Sequence, residues 1–137
     1  MTKQRVLIIG LSFVHRLQAF VQKRRHTDCF SSLYSNAEVI FHGIGGRTIL
    51  KFREYDFGIV QKISPDIIIL ELGLNDLVKL PPQTVGSELE SLLQDLHNTF
   101  SMKFVVVGQA LSCYTKDSVD FNCKVGKLHP YLKVVLE

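Results

Sequence analysis

The sequence predicts an α/β domain in three layers, with a parallel sheet between helices. Three observations point to it. Aliphatic runs of strand length alternate with stretches whose apolar residues recur at helical spacing. Two of those runs, residues 67–72 and 103–108, are nearly continuous and rich in Ile and Val, as in strands covered on both faces. Strand–helix alternation then implies βαβ units with right-handed crossovers, a doubly wound arrangement.

The elements follow in order. Residues 5–9 read as the first strand, which stops at Gly10. Apolar Phe13, Val14, Leu17, Phe20 and Val21 then mark a helix from Ser12 or Phe13 to Arg25. Residues 27–36 are polar and read as a connection. Residues 37–42 form a second strand, which runs into the glycine cluster Gly43-Ile44-Gly45-Gly46. Ile49, Phe52, Phe57, Ile59, Val60 and Ile63 suggest a less regular helix, broken near Gly58. Ser64-Pro65-Asp66 ends it, and residues 67–72 give the third strand. Gly73-Leu74-Asn75-Asp76 follows directly. After Pro81-Pro82, residues 84–100 form a helix with Val85, Leu89, Leu92, Leu93, Leu96 and Phe100 on one face. Residues 103–108 are the fourth strand. Residues 119–137 show helical spacing that Pro130 should kink or split.

Bulk properties restrict the function classes. The chain has 137 residues, 46% hydrophobic and 21% charged, which is ordinary for one globular domain. No apolar run reaches membrane-spanning length, and four aliphatic residues before Gly10 are too few for a signal peptide, so a cytoplasmic location is expected. Cys29, Cys113 and Cys123 show no CxxC spacing, which argues against both a disulfide framework and a zinc site. The net charge of +3 is mild. Its one cluster, Lys23-Arg24-Arg25-His26, closes the first helix and complements the helix dipole, so nucleic acid is not an expected partner.

In doubly wound sheets, ligands sit beyond the carboxyl ends of the strands. The clusters around Ser12, Gly46 and Asn75 each follow one of the first three strands and so share that edge. Ser12 reads two ways, as a helix cap or as a nucleophile beside unpaired helix N–H groups. A serine nucleophile needs an oxyanion site and a base. Gly45-Gly46 can turn an N–H inward where a Cβ would crowd, and the Asn75 amide can reach in from its short loop. Three loops converging on one edge favour a site over separate caps and turns.

Gly10-Leu11-Ser12, Gly43-Ile44-Gly45-Gly46-Arg47-Thr48 and Gly73-Leu74-Asn75-Asp76 resemble the first three blocks of the SGNH (GDSL-like) hydrolase superfamily. The glycine run is similar to the second block of the acetylhydrolases that act on platelet-activating factor. The chain also looks like retroelement-associated SGNH domains of animal genomes. The resemblance covers residues 5 to about 110. It implies a flavodoxin-like fold and hydrolysis of esters or acetyl esters through an acyl-enzyme, without metal or cofactor. It implies Ser12 as nucleophile, with the backbone N–H groups of Ser12 and Gly46 and the Asn75 side chain as the oxyanion hole.

Two departures stand out. Leu11 replaces the family's aspartate, which perturbs the turn rather than the chemistry. The family's Asp-x-x-His is not found; no histidine here has an aspartate three residues before it. The single domain, residues 1–137, thus reads as incomplete at its C-terminus, short of a last strand and helix, which suggests self-association through exposed sheet. His15, one turn beyond Ser12, is the first substitute base; His42 and His129 stand in poorer contexts, and His26 and His97 read as surface positions. The alternative is a non-catalytic ligand- or partner-binding module derived from such a domain. Neither G-x-G-x-x-G nor a P-loop is present.

Overall fold

The computed structural model describes residues 3–24, 35–100 and 104–108. Strand β1 (Gln4–Gly10) leads to helix α1 (Ser12–Lys23). Strand β2 (Ala37–Gly43) precedes α2 (Ile49–Lys51), a π-helical turn (Phe52–Asp56) and α3 (Phe57–Ile63). Then come β3 (Ile67–Glu71), the short α4 (Leu74–Leu77), the long α5 (Pro82–Phe100) and β4 (Phe104–Val107). The readings of Cys29, Cys113, Cys123, His26, His129 and the helix over residues 119–137 lie outside the described residues.

The four strands are all parallel, in the order β2-β1-β3-β4. The chain steps outward from β1 to β2 and then back past β1 to β3. Right-handed crossovers therefore put α1 on one face and the α2–α3 segment on the other. Packing agrees. Leu7 and Ile9 of β1 and Ile68 and Leu70 of β3 are fully buried in one cluster with Phe52, Val60, Val85, Leu89, Leu92 and Leu96. Val14 and Val21 of α1 are buried outside that cluster. The three-layer α/β prediction holds.

Two expectations need correction. The helix over residues 49–63 is not broken at Gly58. Its irregularity is the π turn just before, which holds one residue more than an α turn would. Nor are β3 and β4 equally covered on both faces. Phe104 and Val106 are 64% and 47% exposed, and Ile67 and Ile69 only half-buried. The cause is reach: α1 packs on β1 and β2, and the β3–β4 half of that face stays open among the described residues. Among the described residues, no helix is long and apolar enough to cross a membrane.

Candidate active site

The site is built at the carboxyl edge of the sheet, where three strand ends are tied together. Gly10 ends β1 at φ +150°, and a Cβ there would fall on the Glu71 carbonyl oxygen. The Leu11 N–H donates to that same carbonyl at 3.0 Å. The Gly10 carbonyl accepts from the Ile44 N–H, also at 3.0 Å. One residue thus locks β1 to β3 and to the loop leaving β2. Leu11 turns inward and is 5% exposed, part of the main core.

Ser12 opens α1, but it is not the cap. The capping position is Leu11, in extended backbone, with no side-chain hydrogen bond. Ser12 is exposed, and its hydroxyl makes no hydrogen bond among the described residues. The N–H groups of the first turn are those an α-helix leaves without an intrahelical carbonyl. Gly43 packs directly on that turn: a Cβ on it would stand 2.5 Å from the His15 nitrogen and 2.8 Å from the Leu11 carbonyl oxygen. Gly45 follows, and a Cβ on it would stand 3.9 Å from the Ser12 Cβ. The glycine loop therefore borders Ser12.

The reason for the glycines differs from the expected crowding. A Cβ on Gly46 would meet nothing within 4 Å. Gly46 is required by its backbone, which turns at φ +73°. The sterically obligatory glycines are Gly10 and Gly43, two residues before Ser12 in the first block and three before Gly46 in the second.

Asn75 lies on α4, which starts after Gly73 at φ +111°. Its Nδ2 donates to the Arg47 carbonyl at 3.0 Å. An amide carries two N–H donors, so one anchors the side chain and the other remains. Asp76, 6% exposed, accepts from the Ile49 N–H at 3.2 and 3.3 Å through its two oxygens. Burial raises its carboxyl above the ordinary range, the Ile49 N–H opposes that, and the charge of Glu88 adds to it. The Asn75-Asp76 pair thus grips the second block at Arg47 and at Ile49. Thr48 caps α2, its Oγ1 accepting from the Lys51 N–H at 3.3 Å.

Four residues of this region go beyond the expected roles: Arg47, Asp56 and Glu71 had none assigned, and His42 was only a poorly placed candidate base. Arg47 donates two hydrogen bonds to the carboxylate of Asp56, at 2.8 and 2.9 Å, with both side chains buried. His42 Nε2 lies 3.4 Å from Asp56 Oδ1 but forms no hydrogen bond, so this histidine faces that pair. Glu71 ends β3 with its carboxylate lying where a Cβ of Gly108 would be, and burial raises its pKa. Arg47 stood beside the glycine run, which was a signal. Asp56 gave none, because its facing depends on the π turn. Of the other histidines, His15 is exposed one turn along α1, and His97 is exposed near the end of α5. Among the described residues, no three His, Cys, Asp or Glu side chains cluster in a way that could hold a metal ion.

No family model matches the sequence, and no curated protein matches it. Solved structures do resemble the fold. The acetyl xylan esterase AlAXEase has a TM-score of 0.69 at 17% identity, over 96% of this chain and 74% of that one. LAE5, an α/β hydrolase from the metagenome of Lake Arreo, has 0.71 at 13% identity, over 96% and 72%. A catalytic mutant of Axe2, an acetylxylan esterase from Geobacillus stearothermophilus, has 0.75 at 13% identity, over 98% and 73%. None of these neighbours supports the retroelement association. The chain has the parallel α/β fold of these solved structures, a likeness of backbone carried at low sequence identity.

Proposed function

We propose that this chain is a serine esterase that cleaves ester or acetyl-ester bonds of small molecules through an acyl-enzyme on Ser12. The observation that carries the reading is the convergence at one sheet edge. An exposed, unbonded serine opens a helix, a glycine loop borders it, and an asparagine amide is anchored on that loop by only one of its two N–H groups. Esterase neighbours support the reading at the level of the fold.

In this mechanism, Ser12 Oγ attacks the ester carbonyl carbon. The carbonyl oxygen gains negative charge, which the N–H groups of Ser12 and Gly46 and the Asn75 amide receive. Collapse expels the alcohol and leaves the acyl group on Oγ, and water then releases the acid. The hydroxyl proton needs a base. His15, at the same end of α1, is the histidine of the described residues that we assign to it.

A second reading is an ester-binding module without turnover. It is favoured by one fact: no base hydrogen-bonds Ser12 Oγ among the described residues. A serine site lacking its base keeps only residual catalysis. Hydrolysis of p-nitrophenyl acetate by the wild-type chain and by Ser12→Ala separates the two. Turnover lost in Ser12→Ala supports the esterase. Equal background rates in both, with acetate esters still bound, support the module.

A further inference from the structure

The loop over residues 44–48 has little of its own to hold it. Gly45 and Gly46 are exposed and lack side chains, and Gly46 turns through positive φ. Arg47 is the one buried side chain within it. That side chain is buried and meets Asp56, 1% exposed, through two hydrogen bonds. The carbonyl of the same residue accepts a hydrogen bond from Asn75 Nδ2 at 3.0 Å. Arg47 therefore links the π turn, through Asp56, to the Asn75 amide.

Both ends of that link are unusual. Buried ion pairs are a poor source of stability, since apolar side chains of like volume do as well. A bidentate guanidinium–carboxylate pair does fix direction, because its planar fork admits one arrangement. A π turn is rare and costs regular hydrogen bonding. Here its last residue is Asp56. A costly turn delivers a costly pair to one bond, directly behind the glycine loop.

We infer that Arg47 and Asp56 are positioning residues that set the Asn75 amide and the glycine loop against Ser12. The catalytic consequence rests on the esterase reading; the positioning itself does not. The test uses two variants of the chain: Arg47→Met/Asp56→Leu, which replaces the pair by apolar side chains, and Arg47→Lys, which keeps the charge and loses the fork.

Three quantities are read: the melting temperature, hydrogen exchange of the Asn75 side-chain amide and the Ile49 N–H, and the rate at which a fluorophosphonate labels the serine. In both variants the melting temperature stays near wild type, while exchange at both groups speeds by about tenfold or more. Labelling slows by about a hundredfold, the scale of one lost oxyanion donor. Wild-type exchange in a folded Arg47→Lys or in the double variant overturns the inference. If the wild-type serine does not label at all, the esterase reading fails, and exchange alone still decides the positioning.

Discussion

Gly10 lies against the backbone of Glu71 so closely that a methyl group on it would overlap the Glu71 carbonyl oxygen. The contact is backbone to backbone, so no side-chain rotation can relieve it. Gly10→Ala must part β1 from β3 just before the serine, and it must also hold alanine at φ +150°. The expected loss is about 3 kcal/mol or more, from overpacking and backbone strain together. Gly58→Ala is the control. Nothing lies within 4 Å of a Cβ at that helical position. There alanine should stabilise the chain by about 0.5–1 kcal/mol. Urea unfolding of the two variants checks both signs.

The buried pair behind the site predicts a non-additive pattern. Asp56→Leu alone strands the guanidinium of Arg47, whose side chain is 10% exposed. The expected cost is about 3–5 kcal/mol, whereas Arg47→Met/Asp56→Leu should lie within about 1 kcal/mol of wild type. A double variant as unstable as the single one would show that the pair is needed for stability itself.

Glu71 predicts a pH dependence of stability. Burial raises its carboxyl above the ordinary value of 4.5, so the folded chain holds that proton more tightly than the unfolded chain does. Its contribution is fully present below the ordinary value and is lost as pH rises through the raised one. Glu71→Gln removes that loss. The melting temperature of Glu71→Gln should therefore exceed that of wild type at pH 7.5, and the gap should close as pH falls below the ordinary value of 4.5. A gap of constant size from pH 3.5 to 7.5 would assign the effect to packing. Asp76, also raised by burial, should shift the same way in Asp76→Asn, offset by the bonds from the Ile49 N–H that its charged form accepts.

Asn75→Ala separates binding from chemistry. Its amide gives one hydrogen bond to the Arg47 carbonyl, so stability should fall by only about 1 kcal/mol. A donor that serves the developing oxyanion should lower kcat by about 10²–10³ and leave KM nearly unchanged. A rise in KM at constant kcat would place the amide on bound substrate instead.

Periodicity and glycine placement made most of the scaffold legible. The β-branched runs named the four strands, and the end of β1 at Gly10 put Ser12 at the head of a helix. The same reading could not give the reasons. Gly45 and Gly46 were credited with making room, but the crowding is at Gly10 and Gly43, where strand ends that are far apart in sequence meet. The exposure of Phe104 and Val106 was hidden for a similar cause. A continuous apolar run says that a strand could be covered twice, not how far a neighbouring helix reaches. Asp56 was illegible because a period of 3.6 cannot foresee one extra residue in a turn. Arg47 was visible as a neighbour of the glycines, yet its partner was not, so its role could not be read.

If Ser12 is the nucleophile of an esterase site, an active-site phosphonylating reagent must modify it. The wild-type chain and Ser12→Ala are incubated with a fluorophosphonate, and the adduct is located by mass spectrometry of the peptides. One phosphonyl group per chain is expected, on the peptide that holds Ser12, and none in Ser12→Ala. A wild-type chain that stays unmodified, or that is modified equally in the alanine variant, would contradict it.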